Sequence, residues 1–330
     1  MSLPATFKNR LRLPVVAAPM FLTSGPELVI ECCKSGVVGT FPALNQRTSE
    51  GFEAWLIEIK TALADHAVVT GSEPAPFGVN LIVHKSNPRL EADLALCVKY
   101  EVPLIITSLG AVADLIDTVH SYGGVVFHDV INARHAAKAA QAGADGLIAV
   151  CAGAGGHAGT TSPFALVNEI RQFFDKTVLL AGSLSTGRDI ATAQMMGADL
   201  AYLGTRFINT QESLVVDEYR QMIEQTSAAD ILYTPNISGV YANFLRPSIV
   251  QMGLDPDNLE PKKDIDFGEE LTVDADNSSG DKADGAWKTV WSAGQGVGSI
   301  KDSPKAADLI DRIEAEYRDA NASHATLVSR

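Results

Sequence analysis

The sequence predicts a (β/α)8 TIM barrel with a C-terminal insertion or lid region, and three observations carry that prediction. First, eight short β-rich runs succeed one another: Pro14–Met20, Val37–Ala43, Phe77–Val83, Leu104–Leu109, Val125–Val130, Gly146–Cys151, Val178–Ala181 and Leu200–Leu203. Several of them, VVFHDV and TVLLAG among them, are nearly continuous apolar stretches without alternation, the pattern of strands covered on both faces. Second, from the fourth run onward the starts fall 21, 21, 32 and 22 residues apart, which leaves room for one helix and its turns. Third, the phrase Ala142-Gly143-Ala144-Asp145 recurs as Met196-Gly197-Ala198-Asp199, the same join of helix, glycine turn and next strand. Eight such units in order favour a closed barrel. An open doubly wound sheet is the alternative, because closure is not written in a linear pattern.

The elements follow in order. The first strand closes on Ala17-Ala18-Pro19-Met20 and the third on Gly78-Val79-Asn80. Between the fifth and sixth, Asn132–Ala142 reads as a helix with a cap residue at its start and Gly143 at its end. Beyond Thr210 the character changes. Glu212–Ala229 has the spacing of an amphipathic helix, and so does Ser303–Ala320. Between them, Asp255–Asp284 holds eleven acids and three lysines, which supplies −8 of the chain's net −14. That stretch is expected to be a solvated loop, with a lid across the barrel mouth as the functional alternative, anchored by Tyr233, Tyr241, Phe244, Trp287 and Trp291. The division that results is a barrel from residues 1–225 plus 290–330 and an acidic insertion or lid segment from 226–289.

Composition limits the functions available. With 330 residues, 46% hydrophobic and 20% charged, the chain can bury a large core, which excludes a disordered or disulfide-stapled protein. A net charge of −14 argues against a nucleic-acid or anionic-membrane partner but leaves room for a local phosphate pocket. Cys32, Cys33, Cys97 and Cys151 show no CxxC spacing and are expected to be reduced, mostly buried thiols in a cytoplasmic protein. The N-terminus lacks the apolar region of a secretory signal, and no apolar run reaches the roughly 18 residues of a membrane helix. The oligomeric state, a homodimer included, stays open.

In a barrel the chemistry sits at the C-terminal ends of the strands. The seventh and eighth ends bring Gly182-Ser183 and Gly204-Thr205, small residues that let backbone N–H groups approach an anion with the following helix dipole in support. Tight turns alone would also use such glycines; two pairs at the two places where barrels hold phosphate favour a phosphate-bearing ligand. The loop after the sixth strand packs Gly153, Gly155, Gly156 and Gly159 around His157. Such a cluster implies backbone pressed against a ligand or held at positive φ. The histidine suits proton abstraction beside an electron-withdrawing group, or contact with an anion. At the fifth strand end, only one of His128 and Asp129 can face the site, and Asn80 is a candidate for a ligand's ring edge. No HExxH, GxSxG or GxxxxGK[ST] pattern is present, so no metal site, serine triad or P-loop is expected.

The motifs PVVAAPMF, GVNLIV, FHDV, AGAGGHAG, AGSLSTG, LGTRF and the late AGQGVG together resemble those of the nitronate monooxygenase (2-nitropropane dioxygenase-like) family of FMN-dependent barrels. The likeness spans roughly Leu13 to Phe207 and again Ala293–Gly298. It implies FMN as cofactor, with Ala18, Pro19 and Met20 against the flavin ring and Asn80 in contact with it. It implies Gly182, Ser183, Gly204 and Thr205 around the phosphate and Gln295 and Gly296 at the flavin edge. His128, Gly155 and Gly156 complete the cofactor-binding set, and His157 in GGHAG corresponds to the family's catalytic base or anion-binding residue. The implied reaction is oxidation of a nitronate, or of a nitroalkane first deprotonated by His157, with O2 to a carbonyl compound and nitrite. An FMN-dependent NAD(P)H:quinone or enoyl-thioester reductase is the alternative, and a phosphate-ligand barrel without redox turnover a third.

Overall fold

In the computed structural model, residues 2–110, 113–261 and 290–329 are described. Eight parallel strands close into a barrel: β1 (Val15–Ala17), β2 (Val38–Pro42), β3 (Gly78–Ile82), β4 (Leu104–Ser108), β5 (Val125–Val130), β6 (Gly146–Val150), β8 (Thr177–Ala181) and β9 (Leu200–Leu203), with β9 returning to pair with β1. Helices α1 (Pro26–Lys34), α2 (Ser49–Thr70), α3 (Leu90–Lys99), α4 (Ala113–His120), α5 (Ala133–Gln141), α6 (Pro163–Arg171), α7 (Gly187–Met195) and the four-residue α8 (Thr205–Ile208) follow the strands in turn. The closed barrel is therefore the architecture, and the open sheet is not. β1 is shorter than its apolar run: Ala18 N–H still donates to Leu203 O, but Pro19 has no N–H with which to continue the ladder.

The absence of alternation has a direct cause. Val16, Val38, Leu104, Ile106, Phe127, Ile148, Leu179 and Leu200 fill the barrel, while Val15, Ala17, Leu147, Ala149, Val178, Leu180, Ala201 and Leu203 pack under the helices. Phe7, from a short helical turn at the N-terminus, enters the barrel core and lies 5.6 Å from the Phe127 ring. The repeated Gly-Ala-Asp join works the same way twice. Gly143 and Gly197 turn at φ of 102° and 103°, and each aspartate reaches back to the neighbouring strand. Asp145 Oδ2 accepts from Val126 N at 2.9 Å, and Asp199 Oδ2 accepts from Val178 N at 2.9 Å. Caps fall where the sequence places them: Asn132 accepts from His135 N at the start of α5.

All four cysteines are buried and none is in a disulfide; burial raises the thiol pKa values, to about 12 for Cys33 and Cys151. No helix among the described residues is long and apolar enough to cross a membrane.

Beyond the barrel, two expectations are corrected. The helix expected over Glu212–Ala229 forms as α9 (Asp217–Gln225). Its early residues are committed elsewhere: the Glu212 carboxylate accepts from Ala306 N, and Leu214 N donates to Thr23 O. The helix expected over Ser303–Ala320 forms as α11 (Ala306–Val328), starting after Pro304 and running further. A second sheet that the strand pattern does not reveal is made by β10 (Ile231–Thr234), β11 (Ala242–Leu245) and the two-residue β7 (Gly156–His157), followed by α10 (Arg246–Gln251). Most of the acidic stretch, residues 262–284, and Trp287 lie outside the described residues.

α11 packs on α7 so closely that a Cβ at Gly187 would run into the backbone of Ile313 and Tyr317. Gly187→Ala is therefore expected to cost about 1–3 kcal/mol or more, read as a lower urea midpoint at unchanged slope. An unchanged midpoint would show that the two helices can separate freely.

Candidate active site

The C-terminal ends of the strands open into a cavity of about 740 Å³. Residues alternate along a strand, so Phe127 in the barrel core places Asp129 inward and turns His128 outward. The same parity makes Ala18, Pro42, Asn80, Ser108, Asp129, Val150, Ala181 and Tyr202 the upper layer of the barrel, and all of them line the cavity. Of the residues expected from sequence, Ala18, Pro19, Met20, Asn80, His128, Gly155, Gly156, His157, Gly182, Ser183, Gly204, Thr205 and Gly296 line it too. Gln295 does not. Its side chain is exposed, and its backbone N–H donates to Gly153 O at 2.8 Å.

His157 is held by the second sheet. β7 pairs antiparallel with β11, His157 opposite Ala242 and Gly156 opposite Asn243. Around it, Gly156 N donates to Ser292 Oγ (2.7 Å), Asn243 Nδ2 to Ala154 O (2.7 Å) and Tyr233 Oη to Ala158 O (2.8 Å). Tyr219 and Trp291 stack at 4.8 Å over the same wall, and the Tyr219 hydroxyl donates to Ser292 O. Burial lowers the His157 pKa from 6.5 to about 4, so the imidazole is neutral at pH 7. The unprotonated imidazole is the form that can take a proton, with the weaker basicity that a lowered pKa brings.

The glycines divide by cause. Gly153 and Gly156 adopt φ of 84° and 67°. Gly155 is needed because a Cβ there would lie 2.9 Å from Gly294 N, a contact within the protein. Gly182 combines a φ of 132° with a carbonyl, Ala152 O, only 2.9 Å from where a Cβ would stand, so its own backbone demands glycine. Gly204 differs: a Cβ there would meet nothing nearer than Ala18 and Met20 at 3.8 Å, and the residue lines the cavity.

The turn after β8 is also corrected. Ser183 N donates to Gly153 O (3.3 Å), Ser185 N and Thr186 N to Asp189 Oδ2 (2.8 Å each), and Gly187 N to Glu316 Oε2 (2.7 Å). The N-terminus of α7 is thus closed by carboxylates, not offered to an anion. In this corner Thr205 Oγ1 accepts from Gly294 N at 2.9 Å, which leaves its own hydrogen to donate.

A polar chain that no motif marks runs across the upper layer, joining Asn80 to Asp129 through Ser108, a residue the sequence does not single out. Asn80 Nδ2 donates to Ile106 O (3.2 Å) and to Ser108 Oγ (2.8 Å), and Ser108 Oγ donates to Asp129 Oδ2 (2.5 Å). Both amide hydrogens of Asn80 are therefore spent, and any ligand contact falls to its Oδ1. Burial raises the Asp129 pKa from 3.8 to about 6, partly offset by Ser108, and Tyr202 beside it is pushed well above 10. His128, outside the ring of inward residues, bonds Thr107 through Nδ1 (2.7 Å) and is lowered to about 4 by burial and by His135 and Lys138.

A parallel barrel with a neutral histidine at the mouth and a polar inner layer defines an enzyme of the (β/α)8 class. The family model for nitronate monooxygenase matches residues 5–316, and the chain belongs to the nitronate monooxygenase family, as an oxidoreductase. It is 26% identical to a nitronate monooxygenase of Paraburkholderia phytofirmans, over 92% of each chain. It is 27% identical to a (3aS,4S,5R,7aS)-5-hydroxy-7a-methyl-1-oxo-octahydro-1H-indene-4-carboxyl-CoA dehydrogenase of Rhodococcus jostii, again over 92% of each. Among solved structures it is similar in fold to a nitroalkane oxidase of Streptomyces ansochromogenes, with a TM-score of 0.77, 21% identity and coverage of 97% and 99%. FabK of Thermotoga maritima is comparably alike, with a TM-score of 0.76, 21% identity and 96% of each chain covered.

Proposed function

We propose that this chain binds FMN in the barrel-mouth cavity and oxidises nitronates, or nitroalkanes after deprotonation, with O2 to a carbonyl compound and nitrite. The observation that carries the reading is the neutral His157 facing the same cavity as the polar upper layer and the open backbone of Gly204. The residues fit a flavin: the segment Ala18–Met20 offers a flat apolar wall, and Asn80 and Asp129 offer acceptors. Gly204 leaves space that a Cβ would fill, and Ser183 and Thr205 bring hydroxyls. When bound, FMN supplies the electron-transfer chemistry.

The protein's own part is proton transfer and positioning. An imidazole with a pKa near 4 is unprotonated at working pH and takes a proton from a carbon acidified by a nitro group. The β7–β11 pairing fixes where that ring stands, and the stacked Tyr219 and Trp291 wall keeps the reacting carbon from bulk water. The test is a flavin absorbance band in the purified protein together with O2 consumption on a nitronate; a colourless protein inert to nitronates sinks the proposal.

The sign of the pH dependence follows from the base being active when unprotonated. With FMN saturating at every pH, kcat/KM for a neutral nitroalkane is expected to rise with pH through about 4 and to level off above it. A profile still rising through pH 6.5 would mean that His157 is not the group taking the proton.

A second reading, a flavin reductase acting on a larger apolar or thioester substrate, is favoured by the rim. Leu109, Ile131, Leu214 and Val216 line the cavity yet remain exposed, an apolar mouth wider than a small nitronate needs. The dehydrogenase likeness to a CoA ester enzyme points the same way. Anaerobic NAD(P)H oxidation with quinone and enoyl-thioester acceptors, set against O2 uptake on nitronates, separates the two.

A further inference from the structure

One oxygen of the Asp129 carboxylate is satisfied by no group among the described residues. Its Oδ2 accepts from Ser108, whereas Oδ1 is buried and has no hydrogen-bond partner among the described residues. A buried acceptor left in that state costs about 1–3 kcal/mol, so a partner is expected from whatever occupies the cavity that Asp129 lines. The aim of the group is fixed from two strands away. Asn80 Nδ2 donates to Ser108 Oγ, which commits the Ser108 hydrogen to Asp129 Oδ2 and leaves Oδ1 as the carboxylate oxygen without a partner.

What that ligand must bring is a donor. Asn80 has spent both amide hydrogens and Asp129 is an acceptor when ionised, so the two together present acceptors side by side on the barrel's upper layer. An oxygen-edged anion is repelled there; a ring carrying an N–H is attracted. We propose that Asp129, aimed by Ser108 and Asn80, accepts a hydrogen bond from a ring N–H of the bound flavin. The inference rests on the flavin reading above. It makes Asp129 a cofactor-binding residue and Ser108 and Asn80 its positioning residues, none of them within the glycine-rich loops.

The bond responds to pH in a definite direction. Around Asp129, β4 brings Ser108, β9 brings Tyr202, whose phenol stays protonated, and β6 brings the apolar Ile148 and Val150; on its own strand His128 turns outward and is neutral. Asp129 is thus the group that changes charge near pH 6. As pH falls through that value, the acceptor becomes an O–H and the bond to an N–H is lost.

The experiment titrates apoprotein with FMN and with riboflavin by fluorescence quenching, between pH 5 and 8, for the wild type, Asp129→Ala and Asp129→Asn. Riboflavin carries no phosphate, so titration of a phosphate near pH 6 does not enter its profile. Wild-type affinity for riboflavin is expected to fall about tenfold or more from pH 8 to pH 5. Asp129→Ala should bind about tenfold or more weakly at pH 8 and show no step. Asp129→Asn keeps the side-chain shape and should also lose the step, with a shifted visible flavin band. Variants that match the wild type in affinity, band and pH profile overturn the inference while leaving the flavin reading intact. A wild type that binds FMN at no pH overturns both.

Discussion

In His157→Ala, turnover of a neutral nitroalkane is expected to fall by about 10²- to 10⁴-fold, while turnover of the preformed nitronate falls far less. The asymmetry follows from charge. His157 is neutral at pH 7, so it has little to offer an anion already formed and much to offer a carbon acid that must lose a proton. FMN content should not change, because His157 is carried by the small sheet through backbone pairing with β11, which alanine keeps. His157→Gln serves as a second variant, with hydrogen-bonding capacity but no base. Equal loss on both substrates would reassign His157 from proton abstraction to anion contact.

Gly204→Val is expected to weaken FMN binding by about 1–3 kcal/mol, roughly ten- to hundredfold, with an unchanged thermal midpoint. The site permits a clean separation of the two effects. A Cβ at Gly204 meets Ala18 and Met20 only at 3.8 Å, so the protein accommodates it, and the valine methyls occupy cavity space instead. Gly182→Val is the instructive contrast. Its φ of 132° and the nearby Ala152 carbonyl make the apoprotein itself strained, so loss of flavin there would report on folding. Full flavin occupancy in a folded Gly204→Val would remove the end of β9 from the cofactor site.

How much of this was legible in the sequence depends on which signal each feature left. All eight barrel strands were readable because both-face burial writes an apolar run, and the Gly-Ala-Asp repeat marks a join whose aspartate bonds the next strand over. The same burial erased the signal that would have distinguished Asp129 from His128. Without alternation the inward parity of β5 cannot be assigned locally, and only the position of Phe127 inside the barrel decides it. Ser108 sat at the end of an apolar run with no motif around it. The small sheet was missed for another reason: one of its strands is two residues long and lies inside a glycine loop. The role of Gly155 and Gly294 was hidden because their reason for being glycine is contact with each other across about 140 positions of chain.

The pairing of His157 with Ala242 also sets an order of assembly. A growing polypeptide that has emerged as far as Thr210 already contains every strand of the barrel but not β11, the strand that pairs with His157. Only after some thirty more residues are made does a scaffold reach that loop, and Ser292, which ties the same loop down, comes later still. In chain order the barrel strands are complete well before the segments that hold His157 in place, and Ala306, Leu309, Ile310 and Ile313, which join the main core, come last of all.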